Sequence, residues 1–212
     1  MNSLMALSCA LAAGLAAGAS GSIVGVGGAS TLIARPADAQ LNTLTSSTQV
    51  FVWDESQSVV LADGIRANAV LPGLYDAEAD LATVNIARGT TVSSHYIHFD
   101  SPNSTSAQAE GLVRFDGDIL GVIVVNSAAA RRLDNTDFLG APTLFTKNEN
   151  ARGLELAANS DRFEIGSDRR TLRYRFVITS PGDFVRVITV PTPGSMALMG
   201  MGAVVAVRRR RG

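Results

Sequence analysis

From residue 40 to residue 189 the apolar positions recur mostly every second residue, in short runs divided by Gly, Pro, Asn and Asp. That period predicts an all-β chain, an antiparallel β-sandwich or jelly-roll-like single domain. Residues 49–54 form the first expected strand, with Val50 and Val52 on one side and Phe51 and Trp53 on the other, so both faces are expected to be buried. Residues 58–62, centred on Val59, Val60 and Leu61, are expected to pair with it. Residues 76–87 fit either a short helix or the approach to a strand. Further strands are expected at 91–99, 110–115, 119–125, 171–179 and 184–189. Asp116-Gly117 reads as a tight hairpin turn, with Gly117 supplying positive φ. Leu172, Tyr174, Phe176 and Ile178 share an apolar face while Arg173 and Arg175 point outward. Ser180-Pro181-Gly182-Asp183 then turns the chain into Val185 and Val187, with Arg186 also outward, giving a second hairpin with a wet face. Residues 127–133 suggest a helical or turn segment and 134–147 a loop. No repeat of 20 to 50 residues is visible, which argues against a solenoid or propeller.

The two ends break this period. Residues 1–34 carry no charged side chain and are rich in Ala, Gly, Leu, Val and Ser, the composition of a secretory signal peptide. No Lys or Arg precedes the apolar run, so the α-amino group is its only positive charge unless the true start lies further upstream. Two small-x-small cleavage sites are visible, Ala17-Gly18-Ala19 and Ala37-Asp38-Ala39. The second is the expected one, giving a signal peptide over 1–39 and a β domain over 40–189. A resident membrane anchor is the competing reading of this end, weakened by its glycines. A lipoprotein reading through Cys9 lacks a proper acylation box. At the other end, Val190-Pro191-Thr192-Pro193-Gly194 leads into an apolar run over 195–207 and then Arg208, Arg209, Arg210 and Arg211. As a helix the apolar part would span roughly 21 Å, short of the ~30 Å hydrocarbon core. The arginines are expected to stay cytoplasmic.

Charge and cysteine narrow the partners. Of 18 Lys and Arg, four lie in the terminal block, which leaves 14 against 19 acids. An acidic domain of that kind is not expected to bind nucleic acid. The single cysteine, Cys9, lies in the leader, so the exported domain is expected to have no disulfide.

Candidate chemistry is sparse. His95 and His98 are three apart in an expected strand and should face opposite ways, which argues against a shared metal and for ordinary half-buried or surface roles. Asp116 with Asp118, and Asp134 with Asp137, have the spacing of calcium-binding loop oxygens, the only cofactor suggested. There is no Gly-x-Ser-x-Gly elbow and no phosphate-cradling loop. A carboxylate pair such as Asp161 and Glu164 is the only opening for a secreted hydrolase. Trp53, Tyr75 and Tyr96 are the aromatics available for stacking on sugars, with Trp53 better suited to the core.

Pro191-Thr192-Pro193-Gly194, the apolar segment and the arginine cluster, in that order, resemble the PEP-CTERM sorting signal of exported bacterial proteins, with Thr192 where the namesake motif has Glu. The resemblance covers residues 190–212. It implies a transient inner-membrane intermediate, recognition by an exosortase, a membrane-embedded cysteine-type transpeptidase, and cleavage near the Pro-x-Pro motif. Delivery would be to the cell surface or the extracellular polysaccharide matrix. Residues 115–123, 152–155 and 181–189 look, more loosely, like segments of other proteins with this tail; no activity comes with them. The expected function is therefore an exported, non-enzymatic surface or matrix protein. The alternative is an extracellular carbohydrate-binding β-sandwich, calcium-dependent if the loop acids hold an ion.

Overall fold

The computed structural model describes residues 21–157, 160–178 and 182–192. Among the described residues, nearly all of the regular secondary structure is strand. Its elements are β1 (Ile23–Gly28), β2 (Ser30–Leu32), β3 (Asp38–Ala39), β4 (Val50–Asp54), β5 (Val59–Val60), β6 (Ile65–Ala67), β7 (Gly73–Tyr75) and β8 (Val84–Ile86). These are followed by β9 (Thr91–Phe99), β10 (Ala107–Phe115), β11 (Ile119–Ile123), one short helix α1 (Arg132–Thr136), β12 (Leu144–Phe145), β13 (Arg162–Ile165), β14 (Thr171–Ile178) and β15 (Asp183–Thr189). Two larger sheets dominate, a five-stranded one ordered β1-β10-β14-β13-β7 and a six-stranded one ordered β11-β15-β9-β4-β2 with β5 also pairing β9; all pairs are antiparallel except β2 with β4. Two-stranded pairs β3 with β12, which is parallel, and β6 with β8 sit apart from them. No helix among the described residues is long and apolar enough to cross a membrane.

One apolar cluster draws on both larger sheets: Val113, Phe115, Leu172, Phe176 and Phe163 from the first, Val52, Ile97, Phe99, Val185 and Val187 from the second. A second cluster lies on the opposite face of the six-stranded sheet, where Trp53, Tyr96, Phe184 and Ile188 meet Leu133, Leu139 and Phe145 from α1 and the segment after it. Both faces of the six-stranded sheet are therefore dry. Strand β4 is buried on both sides, as its composition predicts. Every residue of β15 is buried. The five-stranded sheet has one wet face, carrying Glu110, Arg162, Glu164 and Arg173 in loose ion pairs of 3.6 Å and 3.7 Å that contribute little to stability.

Several sequence expectations are corrected. Strands are present ahead of residue 40, where the domain is expected to start, from Ile23 onward. β1 pairs with β10 across Ile23 to Gly28, β2 pairs with β4, and Ala39 is buried in β3. Glycine content made this segment look like leader, yet close approach requires it: Gly28 has φ +66° and a Cβ there would press on Glu110 O. β5 pairs with β9, not with β4. Residues 115–119 do not close a hairpin, because β10 and β11 belong to different sheets and the chain crosses between them there. Gly117 serves a different end, since a side chain would collide with the Val190 carbonyl. β14 and β15 are likewise in different sheets, so they form no hairpin, and Arg186 is fully buried, because the loop segment covers the face that alternation would leave wet. Residues 76–87 contain both expected features, a 3₁₀ turn at Glu78–Asp80 and then β8. The expected 134–147 loop holds most of α1, a 3₁₀ turn at Asp137–Gly140 and β12.

The corner at 116–118 holds both ends of the domain. Asp116 accepts from Ser22 N at 2.6 Å and donates its own N–H to Ser22 O at 3.0 Å, while Val190 N donates to Asp118 O at 2.9 Å. The first and last described stretches thus leave the domain beside one another.

Candidate functional site

His95 and His98 point to opposite faces of β9, as the spacing predicts, but both are buried, not half-exposed. His95 joins Asp54 Oδ1 at 2.7 Å and Thr189 Oγ1 at 3.0 Å, and lies against Phe115. The Nε2–H of His98 donates to Leu44 O at 2.8 Å, while its Nδ1 has no partner. Burial pushes the His98 imidazole down to about 4, against the Leu44 bond, which opposes the shift. In the unfolded chain the ring titrates near ~6.5. Stability is therefore full above that pH and falls as pH drops toward 4, by about 3 kcal/mol at the limit. Urea melts of His98→Gln and wild type should show this loss in wild type only; an identical slope in the variant would remove the assignment.

Trp53 and Tyr96 are buried, with ring centroids 5.1 Å apart and planes tilted by 36°, so neither offers a sugar platform. Tyr75 stacks on Phe163 at 4.8 Å and gives its hydroxyl to Leu71 O. The carboxylates with calcium spacing do not converge. Asp116 and Asp118 clamp the domain ends, Asp118 also pairing with Arg170 at 2.8 Å. Asp134 and Asp137 lie in a buried charge network.

That network centres on two guanidinium groups. Arg186 uses all five of its N–H donors: two on Glu55 at 2.7 and 2.9 Å, and one each on Asp137 Oδ1 at 3.0 Å, Thr136 Oγ1 at 2.8 Å and Leu133 O at 3.0 Å. Arg152 donates to Asp134, Asp137, Thr146 O and the Tyr96 hydroxyl. Lys147 adds a short ion pair to Asp137. Both guanidinium groups pack over the rings of Tyr96 and Phe145. Burial opposes charge on Asp137, but Arg152 and Arg186 hold its carboxyl below the usual range. Burial pushes Tyr96 up to about 12. With its polar atoms consumed, the network fastens the α1 segment to the six-stranded sheet.

The expected pair Asp161 and Glu164 is split: Glu164 lies on the wet face by Arg173, while Asp161 is buried with Glu155 and Asp183. Asp161 precedes β13 and accepts from Glu155 N at 3.0 Å and Val177 N at 2.8 Å, which pins the 155 loop to the end of β14. Asp183 opens β15 and bridges Gly153, whose φ of +145° brings the loop against Val124. Carboxylate oxygens of the three acids lie within 4.8 Å of one another. Asp183 Oδ2 is buried with no hydrogen-bond partner. Burial, then the neighbouring charges, raise Asp183 well above the carboxylate range; burial and then Asp161 push Glu155 up to about 7. Glu155 is the exposed member and borders a cleft of ≈230 Å³, with Glu78 and Asn126 on its walls. Sequence spacing could not reveal this group, because strand pairing assembles it from positions 155, 161 and 183.

Residues 152–155 and 182–189 each supply an acid to this cluster and lie beside the strand at 119–123. Residues 119–123 pair with β15, Leu154 N donates to Val124 O, and Gly153 bridges Asp183. A search for similar proteins returned no match among family models, curated proteins or solved structures.

Proposed function

We propose that this chain is an exported, non-enzymatic β-sandwich protein, carried across the inner membrane by its N-terminal apolar segment and sorted to the cell surface or polysaccharide matrix through residues 190–212. The observation that carries the reading is the shared exit of the two domain ends. Ser22 and Val190 are both held by the corner at 116–118, so these two residues lie at one edge of the domain. The two larger sheets sharing one core support the sandwich assignment. The tail residues Pro193 to Arg211 lie outside the described residues, and the sorting role rests on their sequence.

With strands starting at Ile23, leader cleavage after Ala19 leaves the domain whole, whereas cleavage after Ala39 removes three strands. An exosortase-type enzyme would then cut near Pro191 to Gly194, releasing the apolar run and the arginines. Replacing Pro191 and Pro193 together by Ala is expected to leave the full-length precursor in the membrane fraction. Fractionation with an antibody to the domain checks this. Normal release of the double variant would show that the Pro-x-Pro motif has no part in sorting.

A further inference from the structure

We propose that Glu155, Asp161 and Asp183 form a calcium site. Three observations carry it independently of the sorting role. The first is convergence: oxygens from all three lie within the ~4.8 Å that two ligands on opposite sides of a calcium ion span at ~2.4 Å each. The second is the orphan: Asp183 is 2% exposed and its Oδ2 has no partner, an arrangement that costs free energy unless a cation or proton supplies one. The third is missing countercharge. Among the described residues no Lys, Arg or His forms an ion pair with any of the three, whereas buried Asp137 and Glu55 and half-buried Asp134 are each paired with arginine, and buried Asp100, also without an ion pair, stands alone and not in a cluster of acids. Arg175, whose charge reaches Asp161, gives its hydrogen bonds to Ser160 O and Gln108 and its ion pair to Glu110.

Donor chemistry selects the ion. An all-carboxylate set with no imidazole or thiolate suits a hard cation, and disfavours zinc or copper. Backbone N–H groups fix the Asp161 carboxylate yet leave lone pairs on both oxygens. Glu155 faces the open cleft, so water can complete the six to eight ligands calcium takes, whereas magnesium demands a tighter octahedron.

The test uses the full chain in mild detergent, stripped with EDTA and titrated at neutral pH with calcium chloride by calorimetry, with parallel thermal melts. One calcium per chain is expected, with affinity in the ~10⁻⁴–10⁻³ M range of extracellular modules or tighter. Glu155→Gln should weaken it about tenfold or more, and Asp183→Asn should abolish it. In chelator, Asp183→Asn should melt higher than wild type, since it removes a carboxyl that on burial must either take up a proton or carry an unpaired charge; in calcium that order should reverse. No heat from wild type, binding that survives Asp183→Asn, a lower melting point for that variant in chelator, or equal affinity for magnesium would each overturn the proposal.

Discussion

Arg186→Ala is expected to destabilise the domain by about 3–5 kcal/mol, the cost typical of removing one partner from a buried ion pair. Arg186 has no exposed surface, and its loss strands Glu55, itself 4% exposed, and frees one side of Asp137. Thr136 Oγ1 and Leu133 O lose a donor as well. An isolated domain is marginal by about 5–15 kcal/mol, so the variant should unfold at much lower urea. Arg186→Lys should recover only part of this, because three donors on a flexible stem cannot reproduce five in a planar fork. Urea unfolding followed by Trp53 fluorescence reads the effect. An unchanged midpoint in Arg186→Ala would mean that the network is not formed.

Deleting residues 20–39 is expected to cost on the order of 5 kcal/mol, because it removes more than an edge. Burial of Ile23 contributes roughly 1.5–3 kcal/mol. Ser30 Oγ and Tyr174 OH share a buried hydrogen bond of 2.6 Å, and stranding the Tyr174 hydroxyl costs about 1–3 kcal/mol more. The five register pairs of β1 with β10 disappear too, exposing the β10 edge. Circular dichroism melts of the chain with and without 20–39 decide the matter. Equal stability would restore a mature start at Gln40.

The strands of the six-stranded sheet were legible because their apolar runs are long and bounded by turn residues. Residues 91–99 and 184–189 of the expectation match β9 and β15 within a residue. What alternation cannot tell is which faces are wet. In β15 the Val185, Arg186, Val187 pattern reads as one dry face and one solvated face, but α1 and the loop after it cover the second face and surround Arg186 with acceptors. Pairing was equally hidden. The 116–118 and 180–182 sequences look like hairpin turns, yet the strands on either side of each, β10 and β11, then β14 and β15, belong to different sheets, a difference decided by tertiary packing and not by turn chemistry. β1 was missed since Val-Gly alternation in an uncharged stretch is shared by leaders and by glycine-rich edge strands. The acid cluster was out of reach for the same reason as the pairing: Glu155 and Asp183 are 28 positions apart and come together only through the Gly153 bridge.

On the proposed function, the working protein runs from about residue 20 to the Pro-x-Pro motif, with both apolar ends removed. Intact-mass measurement of the protein recovered from the surface or matrix fraction of cells that carry the processing enzyme tests it most directly. The expected mass corresponds to a chain that begins at or near Ser20 and ends between Val190 and Gly194, plus any group attached at the new C-terminus. A recovered protein that begins at Gln40, or that still ends in Arg208 to Gly212, would contradict it.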